Sequence, residues 1–140
     1  MPTERKAEVV WHGNLIHGDG TIVSATSGAL PQLPVSWASR SEAPNGKTSP
    51  EELIAAAHAA CFAMALSHGL AEAGFTAETL STSSTVTFEP GVGITTAHLT
   101  VSGAVPGMSA DEFRTAAEAA KAGCPVSQAL AGVEITLDVL

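Results

Sequence analysis

Basic residues are scarce in this sequence: six lysines and arginines stand against 14 aspartates and glutamates, a net charge of −8. Nucleic-acid binding needs a basic footprint, so it is excluded as an expected function. Attraction to anionic membrane surfaces is excluded on the same ground. Charge of either sign is thin, 14% of residues against 45% apolar, which rules out an acidic disordered segment. Much of the surface must then be Ala, Ser, Thr and Gly, and such a chain often covers part of itself with a second copy; a homodimer is expected. No apolar stretch runs for about 18 residues without polar interruption, so no transmembrane helix is expected. Met1-Pro2-Thr3-Glu4-Arg5-Lys6 leads into no long apolar run, so no signal peptide is expected and cytoplasmic residence is the default. Internal repeats and charge blocks are lacking. Cysteines number only two, Cys61 and Cys124. In a cytosolic protein a bare pair is more often catalytic, redox-sensing or inert than a structural staple.

What is present fits one domain over residues 1–140. A chain of this length hides roughly two-thirds of its unfolded surface on folding. Residues 7–12 and 21–26 read as strands, with Gly18-Asp19-Gly20 in the turn between them. Residues 28–49, with Pro44-Asn45-Gly46, read as a long irregular stretch of the kind that carries function. Ser49-Pro50-Glu51-Glu52 is a capping box with proline at the first helical position. The helix that follows runs to Ala73, with Gly74 as its stop. It is about 24 residues, or about 36 Å, long. It is apolar on nearly every face, so burial on nearly every face is expected, with a partner chain supplying part of the cover. Residues 80–89 and 94–102 alternate as a hairpin around Pro90-Gly91-Val92-Gly93. Ser109-Ala110-Asp111-Glu112 opens a second helix, which runs to Ala122 and is stopped by Gly123. Pro125 starts a short third helix, and 133–140 is a final strand. Tight hairpins favour antiparallel sheet, so the fold class is α+β.

Cys61 lies mid-helix among Ala59, Ala60, Phe62 and Ala63. It can be a small core hydrophobe, and burial without help would raise its pKa and make it inert. A reactive Cys61 needs a nearby cation, and its helix offers none. Cys124 stands before Pro125 at a helix start, where free N–H groups can stabilise a thiolate; it can equally be a linker residue. Arg40, in the long loop, is either a surface residue or a guanidinium that lowers a thiolate's pKa and donates to an anionic oxygen. An arginine in that role wants an orienting carboxylate. Glu51 and Glu52 are close in sequence, and capping suits Glu52 better.

The segments Thr48-Ser49-Pro50-Glu51-Glu52-Leu53-Ile54-Ala55-Ala56-Ala57-His58-Ala59-Ala60-Cys61-Phe62 and Lys121-Ala122-Gly123-Cys124-Pro125-Val126-Ser127 resemble the OsmC/Ohr family, the osmotically inducible and organic hydroperoxide resistance proteins. Thr26-Ser27-Gly28 and Glu134-Ile135-Thr136-Leu137 also fit. The resemblance implies antiparallel sheets wrapped around a long buried central helix, in an intertwined dimer. It implies a thiol peroxidase acting on organic hydroperoxides and on hydrogen peroxide, without metal or organic cofactor. Cys61 would then be the peroxidatic cysteine, oxidised to sulfenic acid, and Cys124 the resolving cysteine that condenses with it to a disulfide. A dithiol, of lipoyl type by family analogy, would reduce that disulfide. Arg40 would hold the Cys61 thiolate and Glu51 would orient Arg40. The Ohr branch places its arginine between the first two strands. Here that region reads His17-Gly18-Asp19-Gly20-Thr21, so the OsmC branch is the better match. Glu51 precedes Cys61 by about 15 Å of helical rise. Arg40 and Glu51 of one chain serving Cys61 of the other is the simpler solution.

Other candidates carry less. His58 and His68 could be bases, but packed, hydrogen-bonded histidines are the plainer reading. Zinc bound by Cys61, Cys124, His58 and His68 lacks a short ligand pair. Trp37, Ile54, Phe62 and Met64 could line an alkyl pocket or be ordinary core. Gly18-Asp19-Gly20 is not a phosphate loop. Two rivals share the fold: a hydrophobic-ligand-binding dimer, which would tolerate loss of either cysteine, and a redox sensor oxidised slowly and stoichiometrically.

Overall fold

Asn14 turns the chain back after its first strand. Its side-chain oxygen accepts from the His17 N–H at 2.7 Å, and its carbonyl accepts from the Gly18 N–H at 2.8 Å. Only glycine fits at position 18, where a Cβ would lie 2.3 Å from the Asn14 carbonyl oxygen and 2.4 Å from that of His12. The computed structural model describes residues 1–140, and the chain divides into two compact units, Met1–Pro50 and Glu51–Leu140.

The first unit is a three-stranded antiparallel sheet in the order β1 (Ala7–His12), β2 (Asp19–Ala25), β3 (Leu33–Val35). The stretch 28–49 is more ordered than its composition suggests, because it holds β3 and a short helix, α1 (Trp37–Ser41). Ser36 caps α1 in a reciprocal box with Ser39. The Ser39 hydroxyl also donates to the Thr48 carbonyl at 3.1 Å, and Thr48 bridges to Val35. These local bonds fix α1, and with it Arg40 in its last turn.

The second unit is built on α2 (Pro50–Glu72). Gly74, at φ +88°, ends it in the left-handed conformation that a helix stop requires. The hairpin β4 (Thr79–Glu89) and β5 (Gly93–Ala104) follows, then α3 (Ala110–Gly123), α4 (Pro125–Ala129) and β6 (Glu134–Val139). Ser109 and Glu112 cap α3 reciprocally. The sheet order is β4-β5-β6. One pairing differs from the antiparallel expectation: β6 runs parallel to β5. The connection between them passes through α3 and α4, and such a crossover returns the chain in its starting direction.

The core of this unit joins Phe62, Leu66 and Leu70 of α2 to Leu99 and Val101 of β5 and to Phe113 and Ala117 of α3. Each fully buried Leu or Phe contributes about 1.5–3 kcal/mol. His58, Phe62, Leu66 and Leu70 repeat at four-residue intervals, and this single stripe is what α2 buries, together with Glu51 at its start. The expectation of all-round burial is therefore not met within one chain: Met64 is 72% exposed. The unit's own sheet and α3 line one side of the helix only. α2 is also long and apolar enough to cross a membrane by length and composition, although polar residues interrupt it. Its stripe in the core makes it a core helix.

Candidate active site

Cys124 is a hinge between two helices. It is the C-cap of α3, with its N–H donating to the Ala120 carbonyl at 2.9 Å, and the residue before Pro125 opens α4. Gly123 is the last helical residue of α3, one position later than the sequence suggests. Because proline occupies the first position of α4, the N–H groups left unused there belong to Val126 and Ser127. Cys124 is fully buried, whereas Cys61 on α2 is partly exposed. Both are free thiols.

The fold brings these two residues together. Cys61 and Cys124 lie close enough for each to alter the other's ionisation. Burial pushes the Cys61 thiol up, the neighbouring Cys124 pushes the same way, and the Val126 backbone opposes them. Burial also raises Cys124. Cys61 and the polar groups of Ser127 and Val126 at the start of α4 act the other way and prevail, so Cys124 is held below its ordinary range. The two thiols therefore titrate as a coupled pair.

Glu51 lies in the first turn of α2 and is buried. It sits ten residues from Cys61 on the same helix, about 15 Å along the axis, so the two are not brought together within one chain. Arg40, half-buried, belongs to the first unit. His58 is fully buried one turn before Cys61, and its Nε2 lies 2.7 Å from Ser127 Oγ, which fits the packed, hydrogen-bonded reading. Burial lowers its pKa. His68 departs from that reading: it is exposed and pairs with Glu72 at 3.4 Å. Of the candidate pocket residues, Phe62 is core and Met64 is exposed. Ser127 was not singled out by sequence reasoning. Its only signal was a hydroxyl three residues after a helix-capping cysteine. No group of three or more His, Cys, Asp or Glu is placed to hold a metal ion. An open, mostly apolar cleft of about 810 Å³ is lined by Ala65 and Gly69 of α2, Ala116 and Ala120 of α3, and Pro125, with His68, Asp111 and Glu112 also in its wall; neither cysteine lines it.

The family model for OsmC-like proteins matches residues 43–138, a span that includes both cysteines and Glu51. The sequence is 48% identical to peroxiredoxin OsmC of Escherichia coli strain K12 over 141 residues, covering 99% of this chain and 96% of that protein. The chain belongs to the OsmC family. Among solved structures, an organic hydroperoxide resistance protein OsmC from Legionella pneumophila is 27% identical with a TM-score of 0.69, covering 96% of both chains. The organic hydroperoxide resistance protein OhrB of Bacillus subtilis is 25% identical with a TM-score of 0.68, covering 96% of this chain and 98% of that one. An OsmC-like protein from Mycoplasma pneumoniae, at 17% identity and a TM-score of 0.72, shares the fold. The OsmC fold is mixed α+β, with two small sheets and a long central helix, as the sequence implied.

Proposed function

We propose that this protein is a cysteine-based hydroperoxide reductase, acting on organic hydroperoxides and on hydrogen peroxide. The observation that carries this reading is the apposition of Cys61 and Cys124 in a chain 48% identical to a peroxiredoxin. Cys61 is the peroxidatic residue because it is the partly exposed one, and a peroxide reaches it first. Its thiolate attacks the distal peroxide oxygen. The S–O bond forms, the O–O bond breaks, and the alkoxide leaves and takes a proton to become an alcohol. Cys124 then attacks the sulfenic sulfur, forming the disulfide and expelling hydroxide, which is protonated to water. An external dithiol, of lipoyl type, restores both thiols by exchange.

Cys61 needs help to ionise, because its own surroundings push its thiol up. A guanidinium facing it supplies that help and stabilises the departing oxygen. We assign this role to Arg40, oriented by Glu51, both from a second copy of the chain. The helical distance from Glu51 to Cys61 and the uncovered faces of α2 support the homodimer. Residues 1–140 act as one domain of a cytoplasmic antioxidant enzyme of the stress response, with no metal or organic cofactor.

The test mixes reduced protein with one equivalent of cumene hydroperoxide and follows thiols and intact mass. Rapid loss of both thiols, with a drop of about 2 Da and no added oxygen, is the expected result for disulfide formation. Slow or absent thiol loss overturns the peroxidase reading. The apolar cleft would then favour a ligand-binding dimer.

A further inference from the structure

Small side chains form the walls of the cleft between α2 and α3. Ala65, Gly69 and Ala73 recur every fourth residue on α2, and Ala116 and Ala120 do so on α3. Residues four apart share one helix face, so each helix turns a smooth strip to the cleft and leaves the space between them open. A Cβ at Gly69 would meet nothing within 4 Å. A mostly apolar cleft of about 810 Å³ has the size of a small-ligand site.

The cleft has two unlike ends, because α2 and α3 run antiparallel along it. His58 of α2 bonds to Ser127, beyond the end of α3. Phe75, past the end of α2, lies 3.8 Å from where a Cβ of Gly107 would sit, just ahead of α3. The first end is next to the cysteines: Ala65 is one turn past Cys61 on the same face of α2, and Gly123 and Pro125 flank Cys124 in sequence. The second end is acidic, lined by Asp111 and Glu112 of the first turn of α3. About 12 residues of α3, or about 18 Å, separate the two ends. Glu112 accepts from the Ser109 N–H at 2.8 Å and keeps its charge, while the Asp111 carboxylate takes no part in that cap. No lysine or arginine lines the cleft, and its one histidine, His68, faces Glu72 at 3.4 Å, which cancels any charge it gains.

We propose that the cleft seats the hydrocarbon chain of a long-chain organic hydroperoxide, peroxide toward the cysteines, and that Asp111 and Glu112 reject chains ending in a carboxylate. The substrate class is then long-chain hydroperoxides with a neutral or cationic far end. This rests on the peroxidase reading and adds a choice among its substrates. Apolar walls reward burial of the chain whatever its head group. The head group decides the rest. A carboxylate at the acidic end is left beside like charge, where the cleft walls limit screening by water, whereas an ester is neutral there and an ammonium is attracted. The homodimer does not need this surface, because the exposed Met64 lies about 140° around α2 from Gly69.

ω-Hydroperoxydodecanoic acid and its methyl ester, each below its micelle concentration, test the selection. The ester should show about tenfold higher kcat/KM than the acid near neutral pH and low salt. Asp111→Asn combined with Glu112→Gln should bring the two close to equality. The glutamine keeps the α3 cap, and a ratio taken within one variant is not moved by loss of folded protein. Equal kcat/KM for acid and ester in the wild type, or a ratio unmoved in the variant, overturns the selection. Calorimetry with dodecyltrimethylammonium and with dodecanoate tests binding apart from peroxide chemistry. The cation should bind about tenfold tighter than the anion. Gly69→Leu, which fills open space and favours helix, should weaken the cation about tenfold. Cation binding that Gly69→Leu leaves unchanged, or no binding because a second copy fills the cleft, overturns the assignment. Cation binding weakened by Gly69→Leu in a protein that does not consume peroxide keeps the cleft and its charge preference and refutes the enzyme reading.

Discussion

Cys61 and Cys124 lie within reach of one another, joining the partly exposed flank of α2 to the buried start of α4. Cys61 is partly exposed and Cys124 buried, so the two cysteines differ in task although they are the same residue. Cys61→Ser should abolish peroxide consumption, because a hydroxyl ionises far less than a thiol. Cys124→Ser should allow one turnover and then stall as sulfenic, and later sulfinic, acid. Intact mass after successive peroxide additions checks both. Sustained normal turnover by either variant removes that cysteine from the mechanism.

Arg40 stands at the end of a helix pinned by Ser36, Ser39 and Thr48, a rigid mount for a guanidinium. Arg40→Lys keeps the charge but loses the planar fork, and should lower peroxidase activity more than it lowers stability. Complementation separates one chain from two. Arg40→Ala and Cys61→Ser are each expected to be inactive. Co-expressed, they form mixed dimers in which one site is intact. Random pairing should return about a quarter of wild-type activity if the site is shared across a two-fold axis. A mixture that stays inactive places Arg40 and Cys61 in the same chain, or Arg40 outside the site.

Much of this organisation was legible because it is local. Pro50 and Gly74 bracket α2, and Ser109 with Glu112 opens α3; each is a signal confined to one turn of chain. Where pairing is non-local, the reading stopped. The parallel alignment of β6 on β5 depends on the path through α3 and α4, which no residue of β6 encodes. α1 was missed because five residues among prolines and glycines carry no periodicity, although Ser36 and Ser39 already formed its cap. The composition of α2 gave its apolarity on every side but not which side the chain itself would cover. Cys61 and Cys124 could be paired only by family resemblance, since nothing in their separation measures a distance. Ser127 was hidden for a simpler reason: a serine near a helix start is ordinary.

Burial holds the His58 pKa below its ordinary value of 6.5, which makes folding sensitive to acid. The unfolded chain takes up this proton near the ordinary value, and the folded chain only at lower pH. Between the two, the unfolded state binds more protons, so stability falls as pH drops below about 6.5 through the folded value. Above that window the contribution is constant. Urea midpoints at about pH 7.5 and pH 5.5 should therefore differ less in His58→Gln than in the wild type. An equal difference in both proteins means that His58 protonates as easily folded as unfolded.

Leu99 is fully buried where β5 meets α2 and α3. Leu99→Ala should cost about 2–5 kcal/mol, the transfer of the side chain plus the cavity left behind. Denaturant unfolding at constant slope measures it. A cost below about 1 kcal/mol would mean that the sheet collapses onto the helices and fills the gap.

Gly103, near the end of the same strand, tests the opposite error. A Cβ there would sit 2.8 Å from Leu80 Cδ2, 3.0 Å from Phe113 Cζ and 3.2 Å from the Thr79 carbonyl oxygen. Leu80 can rotate away, but Phe113 is part of the core and the carbonyl is fixed by the β4–β5 ladder. Gly103→Ala should destabilise by about 1–3 kcal/mol through overpacking. The close approach to Leu80 also predicts coupling. Leu80→Ala alone loses packing, but in the Gly103→Ala background it relieves the clash, so the two costs should sum to more than the double variant shows. Contacting residues couple by about 0.5–3 kcal/mol. Strict additivity would mean that Phe113 and the strand backbone, rather than Leu80, absorb the added methyl.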